Sequence, residues 1–240
     1  MVVVLGFDIP DTYEIIFLLT FLIILVKIVL GIYLGIKLHK NKKDNLVAPL
    51  FLRSIMFLMI LWAISRIFFT IFDFFLTRFV ESTYPDFPNI WFWKAGALFS
   101  ALPVVAVLLI VDKKILGNKF KGIFAYILLA AIILQTAYPV NTFQDFQVAS
   151  TIGLAGSIMA FLVPILFLYI GGKTPGLRKT AFTFAFGIII YMVGGALVSA
   201  SIIPVFYAVG LSQTLVYLIS TSLKAMGLIM MAAGATRFQF

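Results

Sequence analysis

The stretch YEIIFLLTFLIILVKIVLGIYLGIKL occupies residues 13–38 and contains one glutamate, at its start, and two lysines. A transmembrane α-helix needs about 20 predominantly apolar residues to cross the hydrocarbon core of a bilayer. Residues 13–38 exceed that length with very few charges. We therefore predict that this stretch is a membrane-spanning helix and not a helix of a soluble core.

Six further apolar stretches of comparable length follow it along the 240-residue chain. The seven predicted spans are residues 13–38, 50–76, 91–111, 120–138, 148–170, 181–203 and 211–233. Hydrophobic residues make up 63% of the chain and charged residues 11%, so little sequence remains for a soluble domain. We predict an all-α membrane protein in which residues 1–240 form a single domain, a seven-transmembrane helix bundle.

Basic residues lie mainly in alternate loops between these spans. They are Lys37, His39, Lys40, Lys42 and Lys43 in the first loop, Lys113, Lys114, Lys119 and Lys121 in the third, Lys173, Arg178 and Lys179 in the fifth, and Arg237 after the last span. Short loops that are rich in lysine and arginine stay on the cytoplasmic side. We therefore predict a multi-pass plasma-membrane protein with its N-terminus outside and its C-terminus cytoplasmic.

The net charge of +9 is explained by these loops, which adjoin the membrane and face anionic headgroups. We accordingly expect the lipid bilayer as a partner and no nucleic acid. Cysteine is absent and the single histidine, His39, lies in a loop, so we predict no metal site. The predicted spans also lack a pair of carboxylates and a glycine-rich phosphate loop, so we expect no enzymatic activity.

Charged residues inside the predicted spans are the best indicators of function. Lys27, Arg66 and Lys224 lie near mid-membrane, and Asp73 lies in the outer half of the second span. Each such charge costs about 2.5–3.5 kcal/mol on insertion scales, so residues of this kind usually mark a functional site. With three bases and one acid, the interior carries an excess of positive charge, which an anionic ligand or a partner's carboxylate would neutralise.

We predict a ligand-binding site formed by Arg66, Asp73, Lys224 and Ser220, with Lys27 and Lys94 as secondary candidates. Arg66 and Asp73 are two helical turns apart on one face, which favours a shared polar seam. Side chains in a helix point back toward its N-terminus, so Lys224 should reach deeper into the membrane. For Lys27 we expect the ammonium group to extend to the cytoplasmic surface.

Small residues four positions apart predict faces where helices approach closely. Such pairs are Gly31 with Gly35, Gly153 with Ser157, Gly156 with Ala160, and Gly195 with Ser199. Two prolines, Pro103 and Pro164, fall inside spans three and five and are expected to kink them.

The segment ISTSLKAMG, residues 219–227, resembles the seventh helix of microbial rhodopsins, in which a lysine at this depth carries retinal. That resemblance implies retinal on Lys224. However, Ser220 stands where the family has a carboxylate four residues before the lysine, and the third span has no acid at mid-depth. We therefore predict no cofactor and keep a retinal-binding protein as an alternative.

Two further stretches resemble the seven-helix N-terminal sensor region of histidine kinases. They are FWKAGALFSALPVVAVLLIVDKKIL, residues 92–116, and KTPGLRKTAFTFAFGIIIYMVGGAL, residues 173–197. The chain is also similar to uncharacterised archaeal seven-helix membrane proteins of this size. The resemblance implies a sensor, and because no kinase domain follows before residue 240, we expect any signal to pass to another chain.

These observations favour a noncatalytic, receptor-like or sensor-like membrane protein that binds an anionic or lipid-like ligand and acts through a partner protein or as a homo-oligomer. Three alternatives stay open. The chain could be a structural subunit of a larger membrane complex, a transporter of an anion or small molecule, or a retinal-binding protein.

Overall fold

The computed structural model describes residues 2–4, 7–9, 11–40, 47–198, 203–208 and 210–238. Two short strands, β1 (Val2–Val4) and β2 (Phe7–Ile9), pair antiparallel, and the remaining elements are helices. The α-helices are α1 (Asp11–Lys40), α2 (Val47–Thr70), α3 (Asn89–Ile110), α4 (Ile123–Ala137), α5 (Phe143–Ser157), α6 (Leu162–Lys173), α7 (Arg178–Ala196), α8 (Ile203–Ala208) and α9 (Gln213–Thr236).

Several of these helices continue through turns of different pitch. A π-helical turn, Ile71–Leu76, extends α2, and another, Val111–Ile115, extends α3. The 3-10 turn Ile158–Phe161 joins α5 to α6, so that Phe143–Lys173 forms one apolar helical segment of 31 residues. Two further 3-10 turns are Glu81–Thr83, which lies between α2 and α3, and Pro175–Leu177, which directly precedes α7.

The prediction of seven apolar helices is confirmed for the described residues, and six of them are long and apolar enough to cross a membrane. The six segments are Tyr13–Lys40, Pro49–Leu76, Asn89–Ile115, Phe143–Lys173, Pro175–Ala196 and Gln213–Thr236. These are the features of a multi-pass membrane protein.

The fourth apolar helix is shorter than the predicted span. Helix α4 has 15 residues, which extend about 22 Å at 1.5 Å per residue. It begins only after Gly122, whose φ of 74° is left-handed, and it ends before Pro139, whose ring cannot continue a helix. The preceding residues belong to a folded loop, so they do not lengthen the helix.

The described chain divides into two compact units, and each is described here by itself. The first unit contains Met1–Leu30 and Pro164–Phe240, and the second contains Gly31–Val163. The prediction of one domain that spans the whole chain stays a prediction.

Polar side chains join α2 to α3 inside the second unit. The hydroxyl of Ser65 donates to the carbonyl oxygen of Gly96 at 2.8 Å, and the indole Nε1 of Trp62 donates to the carbonyl oxygen of Ser100 at 2.9 Å. In hydrocarbon, where water cannot serve as a partner, such bonds between helices contribute to their association. The two acceptor residues on α3, Gly96 and Ser100, lie one to two turns before Pro103, the proline inside that helix.

Gly153 and Gly156, one member of each of two predicted pairs, lie against α4, whereas Ser157 is exposed. A Cβ added to Gly156 would overlap Cβ of Ala131, and one added to Gly153 would overlap the amide group of Gln135. Helices α4 and α5 therefore approach too closely at Gly156 for a larger residue, whereas at Gly153 the Gln135 side chain would have to move.

A seam of small residues joins α7 to α9 in the first unit. It comprises Gly187 and Gly194 on α7 with Ser220, Gly227 and Gly234 on α9, each seven residues from the next on its own helix. A Cβ added to Gly227 would lie 2.6 Å from the carbonyl oxygen of Gly187, so the two backbones touch. Nothing lies within 4 Å of a Cβ added to Gly195, so Gly194 and not Gly195 is in the seam. Ser199, the other member of that predicted pair, lies outside the described residues.

Candidate functional site

Lys27 is buried in the first unit. Its side chain is only 4% exposed, and its ammonium nitrogen lies 5.7 Å from the centre of the Tyr191 ring on α7. At this distance the negative face of an aromatic ring attracts a cation. The prediction that Lys27 extends to the cytoplasmic surface is therefore wrong. Helical side chains lean toward the N-terminus of their helix, which directs Lys27 away from the loop that follows α1.

Ser220 and Lys224 lie one turn apart on α9 and face α7. The hydroxyl of Ser220 is 1% exposed and donates to the carbonyl oxygen of Gly194 at 2.6 Å. A Cβ added to Gly194 would lie 3.1 Å from Cγ of Lys224, so the lysine stem runs across the glycine. Ser220 thus joins the helices, and the missing side chain at residue 194 leaves room for Lys224.

The two lysines contact the same stretch of α7. Tyr191 and Gly194 are three residues apart, which places them on one helix face. Lys27 and Lys224 each lie close to the middle of their own apolar helix, Tyr13–Lys40 and Gln213–Thr236. Two basic side chains from α1 and α9 therefore meet α7 within one turn, far from both ends of α1 and α9.

Arg66 and Asp73 belong to the second unit. The polar seam that their spacing favours stays a prediction. Asp73 lies in the π-helical turn that follows α2, and the hydroxyl of Thr70 donates to the carbonyl oxygen of Arg66 at 2.7 Å. Single π-helical turns inside α-helices are frequent at functional sites, but they are also packing features.

Lys94, the last secondary candidate, stabilises the end of a neighbouring helix. It is 8% exposed, and its ammonium group donates to the carbonyl oxygen of Tyr138 at 2.7 Å. Tyr138 follows the last residue of α4, where carbonyl groups lack partners within the helix and the dipole is negative. The ring of Trp91 lies 5.8 Å from the same ammonium group.

The structure therefore places Lys27, Ser220 and Lys224 in one unit, and Arg66, Asp73 and Lys94 in the other. The combination of Arg66 and Asp73 with Lys224 and Ser220 into one site stays a prediction. Among the charged residues of the first unit whose side chains the structure describes, Lys27, a secondary candidate from the sequence, is the most buried.

Two residues in these arrangements were not predicted from the sequence. Tyr191 contacts Lys27, but a single tyrosine in an apolar helix carries no signal of its partner. Asp112 is 3% exposed and accepts hydrogen bonds from the backbone of the loop that follows α3. The only hint was an acid directly before two lysines, Lys113 and Lys114, in a loop of otherwise basic charge.

The ammonium groups of Lys27, which is buried, and Lys224, which is partly exposed, can bind an anion. Within the described residues, no group of three or more His, Asp and Glu side chains could hold a metal ion. Comparisons with protein-family models, with curated proteins and with solved structures give no match to this chain. Its own charged side chains are therefore the basis for a functional assignment.

Proposed function

We propose that this chain is a noncatalytic, receptor-like membrane protein that binds an anionic ligand beside Lys27 and Lys224 and acts through a partner protein. In this proposal the N-terminus is outside, the C-terminus is cytoplasmic, and the plasma membrane is the location. The observation that carries the proposal is a lysine that is 4% exposed at the middle of an apolar helix.

A buried lysine needs a functional or structural reason, because placing its charge in hydrocarbon is costly. The ring of Tyr191 contributes about 0.5–2 kcal/mol to the stability of a nearby cation. A charge at the centre of a membrane helix costs about 2.5–3.5 kcal/mol on insertion scales, and such residues usually mark a binding or transport site.

The charges of the first unit favour an anion over a cation as the ligand. Residues 164–240 contain no aspartate or glutamate, and the part of α1 in this unit contributes Asp11 and Glu14. Lys27 and Lys224 carry two positive charges and Glu14 carries one negative charge, so the sum of the three charges is positive. Glu14 also precedes Lys27 by thirteen residues, about 20 Å along the axis, so the two are at different depths.

The surroundings favour a ligand with an anionic head and an apolar body. A carboxylate or phosphate matches two ammonium groups, and charge-assisted hydrogen bonds of this kind are about twice as strong as neutral ones. The other side chains of α1, α7 and α9 are mainly apolar. A lipid-like acid or a lipid phosphate therefore fits this region better than a free inorganic ion.

The decisive experiment is native mass spectrometry of protein extracted gently from its host membranes. We expect one polypeptide, as a single chain or homo-oligomer, that carries one defined anionic mass. In Lys27→Met and Lys224→Met variants the retained fraction should fall about 10- to 100-fold, because each loses a charge-assisted bond of about 1.5–3 kcal/mol. Lys27→Arg should retain more ligand than Lys27→Met, since it keeps the charge.

Lys179→Met is the matched control, because Lys179 is exposed and precedes the apolar core of α7. Each variant must elute as a folded species before its ligand is read. Equal retention by wild type, Lys27→Met and Lys224→Met would reject the site. A reproducible second polypeptide without a small-molecule mass would instead favour the subunit of a larger membrane complex.

A further inference from the structure

The loop between α3 and α4 is folded around the carboxylate of Asp112. This side chain is 3% exposed, and its two oxygens accept hydrogen bonds from the backbone N–H groups of Phe120 at 2.9 Å and Gly122 at 2.6 Å. The carbonyl oxygen of Asp112 accepts a third bond, from the N–H of Asn118 at 2.7 Å. The only acidic group of the loop is thus turned inward, where its charge holds the backbone.

The backbone of this loop has an unusual concentration of left-handed residues. They are Gly117 (φ 64°), Asn118 (φ 62°), Lys121 (φ 52°) and Gly122 (φ 74°). Glycine and asparagine adopt this conformation readily, whereas lysine does so at a cost. Lys121 lies between the two N–H groups that Asp112 binds, so the carboxylate holds this lysine in a conformation that glycine would adopt more easily.

Four lysines are exposed around the buried acid. They are Lys113, Lys114, Lys119 and Lys121. The ammonium nitrogen of Lys119 lies 5.8 Å from the centre of the Phe120 ring. Because the long apolar segment Asn89–Ile115 ends at this loop and α4 begins directly after it, the four lysines lie at the level of lipid headgroups.

We propose that this loop is a preformed binding site for the phosphate of an anionic lipid headgroup. Insertion of the chain in the correct orientation requires only positive charge somewhere in the loop. It does not require a buried acid or a lysine in a left-handed conformation. Both features fix the lysines relative to the ends of α3 and α4, as a specific phosphate site needs. A lipid phosphate matches the position of the lysines at the membrane surface, and this inference is independent of the ligand proposed beside Lys27.

The conformation of Lys121 provides a test that separates charge from folding. Lys121→Gly removes one charge and relieves the backbone, so this variant should be at least as stable as wild type. Asn118→Gly is the matched control, because it places glycine at another left-handed position of the loop without a change of charge. Delipidated protein in neutral detergent is titrated with dioleoyl phosphatidylglycerol or dioleoyl phosphatidylcholine, and native mass spectrometry measures the bound lipid.

We expect wild type to bind phosphatidylglycerol more tightly than phosphatidylcholine. Each lysine near an anionic surface contributes enough for about a fivefold change in affinity, so Lys121→Gly should weaken phosphatidylglycerol binding about fivefold. Lys119→Gln should act similarly, and the two changes together should lower the affinity about 25-fold. Asn118→Gly should retain the phosphatidylglycerol preference of wild type.

Asp112→Asn tests whether lipid binding requires the fold of the loop in addition to its four lysines. An amide has one acceptor oxygen in place of two, so one of the bonds to Phe120 and Gly122 is lost while all four lysines remain. We expect a reduced lipid preference despite a net charge that is higher by one. Equal affinity of wild type for the two lipids would overturn the proposal. So would equal phosphatidylglycerol binding by Lys121→Gly, Lys119→Gln and Asn118→Gly, as expected if the loop binds an acidic protein instead.

Discussion

Alanine substitution at two adjacent glycines of α7 is expected to have opposite effects on stability. A Cβ at Gly194 would lie 2.9 Å from the carbonyl oxygen of Ser220, 3.1 Å from Cβ of Leu223 and 3.1 Å from Cγ of Lys224. Non-bonded carbon atoms prefer about 3.5–4.0 Å, so α9 must shift outward by several tenths of an ångström. At Gly195, nothing lies within 4 Å of the added carbon.

The magnitudes follow from these contacts. Overpacking of a tight interface costs about 1–3 kcal/mol, and lengthening the bond from Ser220 to Gly194 costs up to about 1 kcal/mol. The higher helix propensity of alanine offsets this cost by about 1 kcal/mol relative to glycine. Gly194→Ala should therefore destabilise the protein by about 1–3 kcal/mol. Gly195→Ala gains only the higher helix propensity of alanine and should stabilise the protein by up to about 1 kcal/mol.

Equilibrium unfolding with SDS in mixed micelles, followed by circular dichroism, measures both differences in one series. The expected separation between the two variants is about 1–4 kcal/mol. Because Lys224 moves with α9, Gly194→Ala should also weaken ligand retention in the native mass spectrometry experiment. Equal unfolding free energies for Gly194→Ala and Gly195→Ala would refute the assignment of the seam.

Three further substitutions test the polar contacts of the second unit by the same unfolding measurement. Lys94→Met removes the donor to the Tyr138 carbonyl at the end of α4 and should cost about 1–3 kcal/mol; no loss would show that this cap is unimportant. Trp62→Phe removes the bond to the Ser100 carbonyl and should cost about 1 kcal/mol beyond its packing change, whereas an unchanged midpoint would contradict the contact. Thr142→Ala removes the hydroxyl of the capping box at the start of α5 and should cost about 1 kcal/mol, with faster hydrogen exchange in the first turn as the local signature.

The positions of the apolar helices could be read from the sequence because span length and hydrophobicity are local properties. The first helix, predicted at residues 13–38, is part of α1, Asp11–Lys40. The shortening of α4 could not be read in the same way. It depends on hydrogen bonds that Asp112 accepts from backbone N–H groups eight and ten positions later, and these bonds form only when the loop adopts its left-handed turns.

The candidate site shows the same division between local and long-range information. The charges at Lys27, Arg66 and Lys224 stood out because any charge in an apolar span is costly. The direction of Lys224 was predicted because helical side chains lean toward the N-terminus of their helix. The same lean directs Lys27 away from the C-terminal end of α1. Its contact with Tyr191 required knowledge of which helices are neighbours.

The sequence by itself determined that this protein is helical and membrane-spanning, and it identified the costly charges. Each of those properties is set by a residue and its neighbours along the chain against a uniform apolar solvent. Only the tertiary structure decided that Gly194, and not Gly195, meets α9, that Ser220 bonds to α7, and that Lys27 is buried against Tyr191. Those outcomes depend on which helix faces come together, and lipid is too similar to an apolar side chain for hydrophobicity alone to select them.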